Sequence, residues 1–146
     1  MKTRTLSFVL SILLLFSLTG CSWNLTSKKK IIKLYRRNES TFIAAVGSGD
    51  LTSVKKLRGI REISTRGEGE DAEIEFYCGG TGLVPSSSYY GILYIEKADT
   101  VFLQLIDSSS EWFADGDGYR YKQADGDNDF YYEPLGNGFF YYEEHY

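Results

Sequence analysis

The stretch FYYEPLGNGFFYYEEHY, residues 130–146, decides how this chain folds. Two aromatic runs flank an Asn137-Gly138 pair, and Asn-Gly between such runs is the strongest short-range signal for a tight hairpin turn. Neighbouring strand residues point to opposite faces, so Phe130-Tyr131-Tyr132 and Phe139-Phe140-Tyr141-Tyr142 supply rings to both sides of a sheet. The pattern extends upstream. Trp112, Tyr121, Tyr131 and Phe140 follow one another at 9- to 10-residue steps with Asp-Gly or Asn-Gly between them, which is the spacing of antiparallel hairpins in series.

Further outward, YYGILYIE (89–96) and TVFLQLI (100–106) are apolar on both faces and read as central strands. In AEIEFYC (72–78), Ile74, Phe76 and Cys78 share one face, which predicts a buried thiol. REISTR (61–66) precedes it as a further strand, and the glycines after Cys78 are expected to bend the chain out of the sheet. Before Ile60 the periodicity is helical. Phe42 to Val46 forms an apolar helical stretch stopped by Gly47-Ser48-Gly49; Asp50 then caps a second helix with Leu51, Val54 and Leu57 on one face, ended by Gly59. The expected fold is α+β: an N-terminal helical hairpin followed by an antiparallel β meander, either a twisted sheet or a half-barrel. The segment FIAAVGSGDLTSVKKL resembles the paired helices of a single ankyrin repeat over residues 41–58. That resemblance implies the hairpin shape alone, because solenoids need about three stacked units.

The N-terminus states an address. Lys2 and Arg4 precede the thirteen-residue apolar run LSFVLSILLLFSL (6–18), which is shorter than the roughly 18–20 residues of a spanning helix and reads as a cleavable export signal. It ends in Leu18-Thr19-Gly20-Cys21, which resembles the lipobox of bacterial lipoproteins. The resemblance implies cleavage before Cys21, acylation of its thiol with diacylglycerol or palmitate-type chains, and an extracytoplasmic protein anchored to the bacterial cell membrane. The expected organisation is a signal peptide at 1–20, a lipid-anchored tether at 21–30, a helical segment at 31–60 and a β region at 61–146, with 31–146 forming one domain. Only Cys78 then remains, so no internal disulfide is available.

Charge is divided along the chain. The sequence holds 16 Lys+Arg and 20 Asp+Glu; loss of Lys2 and Arg4 with the signal leaves the mature chain at −6, which argues against nucleic acid as a partner. Cys21 to Arg61 carries ten bases and two acids, and Glu111 to Tyr146 nine acids and two bases. A basic segment beside a lipid anchor suits anionic headgroups, and it suits equally a solvated tether.

Twelve of the 23 aromatic residues lie in the last 36 positions, more rings than one face resting on helices would use. The second face is either covered or takes a ligand. The candidate binding residues are Trp112, Tyr119, Tyr121, Tyr131, Phe140 and Tyr142, offering rigid rings with polar tips to a protein or a cell-wall polymer. An inhibitor or immunity-type protein, using the acidic end against a cationic partner, is the alternative. A Cys78-dependent enzyme is a further alternative, for which the only histidine, His145, sits one residue from a chain end expected to fray. Asp125, Asp127 and Asp129 match the opening of an EF-hand, but Phe130 and Gly136 stand where that loop needs glycine and glutamate, so no metal or cofactor is expected. The combination FYCGGTG…PSSSYYG with acidic-aromatic hairpins resembles a group of small Gram-positive lipoproteins over residues 40–146. That group carries no assigned activity and implies the address and fold boundary only.

Overall fold

A computed structural model of the chain describes residues 25–66, 73–83, 86–97 and 112–146. The expected export signal, the expected lipidation site Cys21 and the strand expected at 100–106 lie outside the described residues. The α+β class holds. Among the described residues, a long helix α1 (Lys28–Ser48) and a single turn α2 (Thr52–Lys55) precede seven strands: β1 (Glu62–Arg66), β2 (Glu73–Leu83), β3 (Ser86–Ile95), β4 (Trp112–Asp115), β5 (Gly118–Lys122), β6 (Asp129–Gly136) and β7 (Phe139–His145). They form one antiparallel sheet in the order β1-β2-β3-β7-β6-β5-β4. Two meanders thus meet where β7 pairs with β3.

The expected helical hairpin is corrected to one kinked helix with a vestigial second arm. Helix α1 starts inside the expected tether and buries Ile31, Tyr35, Phe42 and Ala45, a helical stripe directed at the sheet. Its kink falls at Asn38 (φ −126°, ψ 17°), where the side-chain Nδ2 donates to the Leu34 carbonyl at 2.8 Å and competes with the backbone ladder. The Gly49 N–H closes the helix on Val46 O at 3.2 Å, and Asp50 Oδ1 accepts the Thr52 N–H at 3.0 Å to start α2. Propensity and capping favoured a second helix here, but only Val54 of that segment is fully buried. Too little of it packs to carry a second full arm.

Under α1, Phe42 packs at 5.1 Å from Phe76 and 5.6 Å from Tyr35, and Phe139 lies 5.1 Å from Tyr35 and 4.9 Å from Tyr94. Each such side chain contributes about 1.5–3 kcal/mol on full burial. Cys78 is fully buried on this side, as its alternation predicts. The glycines after it do not leave the sheet. Beyond a bulge at Tyr77/Gly79, β2 stays paired with β3 through Leu83↔Ser86. A Cβ on Gly80 would stand 2.5 Å from the Ser88 carbonyl oxygen, so the missing side chain permits this close pairing rather than ending it.

Candidate functional site

The pairing register sorts the aromatic dipeptides between two faces. Phe139 and Tyr141 turn toward α1, whereas Phe140 and Tyr142 turn away and join Leu93 and Ile95 in a second buried cluster, packed by Tyr119 and Tyr132. On the away face a chain of ring contacts crosses the sheet. It runs from Tyr77 to Tyr89 (6.2 Å), Tyr146 (5.9 Å), Phe130 (5.1 Å), Tyr121 (5.4 Å, stacked), Trp112 (5.5 Å) and Tyr132 (5.7 Å).

Two carboxylates sit among these rings. Glu75 accepts the Tyr142 hydroxyl at 2.6 Å and the Ser64 hydroxyl at 2.8 Å. Glu144, only 9% exposed, accepts the Tyr132 and Tyr146 hydroxyls at 2.7 and 2.9 Å. Burial first, and then the adjoining carboxylates, push the Tyr132 and Tyr142 phenols far above their ordinary value, so both stay protonated donors. The Tyr142 ring has room because Gly91 faces it across the strand pair; a Cβ there would meet the ring at 2.6 Å.

At the end of this face Glu75, Ser87, Tyr89, Glu144 and Tyr146 line a cleft of about 360 Å³. Tyr89 and Tyr146 are each 40% exposed. The chain end that supplies Tyr146 is fixed by reciprocal backbone bonds with Ser87, at 2.9 and 3.1 Å. Two open rings beside two carboxylates form a surface suited to a hydroxyl-rich or cationic ligand, since the rings stack on its C–H faces and the carboxylates accept its donors.

The sequence-derived candidates divide unevenly. Trp112, Tyr119 and Tyr121 are partly exposed on the away face. Phe140 and Tyr142 share that face but are core, at 6% and 1% exposure. Tyr131 is on the opposite face and buried, its ring between the Lys28 ammonium (4.4 Å) and the Arg120 guanidinium (5.0 Å). Those three side chains are buried within the fold rather than open at its surface. The cleft residues Tyr89, Tyr146, Glu75 and Glu144 were not among those candidates. Alternation separates Tyr89 from Tyr90 and Glu144 from Glu143, but that Tyr89 and Glu144 share the Phe130 face follows only from the β3–β7 and β6–β7 registers.

His145 is not frayed: β7 is the central strand, and His145 is paired with Ser88 on one side and Asp129 on the other. On the α1 side, Ser88 Oγ lies 2.7 Å from His145 Nδ1, and His145 Nε2 lies 2.7 Å from Glu143 Oε1. Cys78 belongs to neither constellation, and burial pushes its thiol up to about 12. The aspartates of the EF-hand-like run do not converge either: Asp129 pairs with Arg120, which also holds Asp115. Among the described residues no cluster of three metal-ligating side chains occurs, and no helix is long and apolar enough to cross a membrane.

The geometry defines an α+β chain whose antiparallel sheet is packed by a helix on one face and ends in an acidic-aromatic cleft on the other. Compared with protein-family models, curated proteins and solved structures, the chain finds no match.

Proposed function

We propose that this chain is a noncatalytic lipoprotein of the bacterial envelope, held to the membrane through Cys21, that binds a cell-wall polymer at the Tyr89–Tyr146 cleft. The observation that carries this reading is two open tyrosine rings flanking two carboxylates in a cleft of about 360 Å³. That volume falls within the range of small-ligand pockets, and one or two sugar rings match its chemistry. The carboxylates favour neutral or amino-bearing sugars and disfavour phosphate-linked polymers, which they would repel.

The test is retention of the mature chain on purified wall glycan. Tyr89→Ala and Tyr146→Ala are each expected to weaken retention about tenfold, the loss of one stacking contact. Glu144→Gln should shift preference toward phosphate-bearing polymers. Retention unchanged in the Tyr89→Ala, Tyr146→Ala double variant would overturn the choice of cleft.

A second, catalytic reading rests on the hydroxyl–imidazole–carboxylate relay of Ser88, His145 and Glu143, in which the imidazole is placed to take the Ser88 proton. Covalent capture of Ser88 by a fluorophosphonate, abolished by His145→Gln, would favour it over binding alone.

A further inference from the structure

With Cys21 as the lipid-bearing residue, the link between anchor and fold is short. Leu25 packs against the main core, and its N–H donates to the Cys78 carbonyl at 3.2 Å. Residues 22–24 alone therefore separate the proposed lipid-bearing cysteine from a residue pinned to the sheet, a span of four residue steps. Four residues, even fully extended, reach only about 14 Å. A protein so held lies against its bilayer, and the surface nearest the anchor must suit it.

That surface is the outer side of α1. Its inward stripe is Ile31, Tyr35, Phe42 and Ala45, while Lys29, Lys30, Lys33, Arg36 and Arg37 are exposed, with Lys55 and Lys56 exposed on α2 beside it. The one acid of α1, Glu39, is half-buried and accepts Asn137 Nδ2 at 3.1 Å, at the β6–β7 turn. Past the basic residues, Ile43 is 43% exposed and Ala44 is exposed. Of the exposed acids among the described residues, Asp117, Asp125 and Asp127 lie in the β4–β5 and β5–β6 turns toward the far edge of the sheet, and Glu62 and Glu96 lie at the ends of β1 and β3. Asp50 alone lies between α1 and α2, where its Oδ1 accepts the Thr52 N–H.

We infer that the outer face of α1, with α2, is a docking surface for an anionic lipid bilayer, on which the fold lies flat with its sheet turned outward. The anchoring half of the inference rests on lipidation of Cys21; the charge complementarity does not. Each base near an anionic surface raises partitioning about fivefold, an effect that falls within a Debye length. Ile43 supplies an apolar contact at the boundary.

Both core clusters lie within residues 25–142, so a chain beginning at Ser22 retains the whole described core and carries no lipid. This chain is to be co-sedimented with vesicles of phosphatidylglycerol and phosphatidylcholine, and with phosphatidylcholine alone. Binding only to the anionic vesicles, lost in 0.5 M salt, is expected. Lys29→Gln, Lys33→Gln and Arg36→Gln together should lower it about 100-fold, and Lys122→Gln should leave it within about twofold, with circular dichroism confirming the fold of each variant. Equal binding to both vesicle types, no binding, or binding indifferent to the triple substitution would overturn the inference, as would preference for a polyanion such as heparin over the vesicles. Fatty-acid labelling of Cys21 in cells tests the anchor independently, so failure of one is distinguishable from failure of the other.

Discussion

The two faces of this sheet are built from the same dipeptides and do different things. Phe139-Phe140 and Tyr141-Tyr142 each give one ring to either side. On the α1 side the rings meet other rings and the apolar stripe of a helix. On the away side the Tyr142 and Tyr132 hydroxyls end on Glu75 and Glu144. Aromatic content therefore says little by itself about whether a face is core or site. The destination of the hydroxyl does not separate them either, since under α1 Tyr131 and Tyr141 donate to Glu133 and Glu143 at 2.9 and 3.0 Å. What separates them is the cover, for α1 lies over one face while Tyr89 and Tyr146 stay open at the end of the other.

The largest test of that difference is truncation of the paired phenylalanines. Phe139 lies against Tyr35, Phe42, Phe76 and Tyr94, so Phe139→Ala is expected to cost about 4–5 kcal/mol in denaturant unfolding. Phe140, at 6% exposure beside Leu93, Ile95 and Tyr142, should cost nearer 3 kcal/mol. If Phe140→Ala costs more than Phe139→Ala, the away face is the principal core and the assignment of the two faces is reversed.

Much of this was legible locally. The steps from Trp112 to Phe140 and the Asn137-Gly138 turn announce β4 to β7, and the alternation of Ile74, Phe76 and Cys78 announces which way β2 faces. The pairing of β7 with β3 was not legible, because it joins residues about fifty positions apart and leaves no mark in either strand's own periodicity. Its consequences were hidden with it: His145 at the sheet centre, Ser88 beside it, and Tyr146 fixed by Ser87. The glycines after Cys78 misled for a different reason. A residue without a side chain shows neither period, so continuation of a strand through Gly79 and Gly80 resembles its end. The second helical arm misled because capping and spacing describe local preference, whereas a short helix persists only where tertiary packing supports it.

A smaller effect sharpens the comparison at one pair. Glu75→Ala would leave the buried Tyr142 hydroxyl without the acceptor it has at 2.6 Å, at an expected cost of about 1–3 kcal/mol. Glu75→Gln keeps a carbonyl oxygen there and should restore most of that stability while removing the charge. If glutamine is as damaging as alanine, the charge rather than the hydrogen bond holds the face together. That outcome would also weaken the case for Glu75 as a ligand acceptor, since its role would then be fixed within the fold.

The last and most graded test is alkaline pH. Tyr132 and Tyr142 on the away face, and Tyr141 on the α1 face, have folded values raised above the ordinary 10.0, burial being the first cause in each. A raised folded value means that the folded state keeps a proton the unfolded chain releases. The stabilisation is therefore complete below about pH 10 and declines as pH rises beyond it, by at most about 1.4 kcal/mol per pH unit for each group. Cys78, raised from 9.0 to about 12 by burial, begins the same decline one unit earlier and completes it near pH 12. Unfolding measured by circular dichroism between pH 8 and 11.5 should accordingly be flat to about pH 9 and then steepen. Tyr142→Phe removes one away-face contributor and should make the curve shallower above pH 10, although it also releases Glu75 from that bond. A wild-type curve flat to pH 11.5 would show these phenols ionising freely in the fold, and their burial on both faces of the sheet would have to be abandoned.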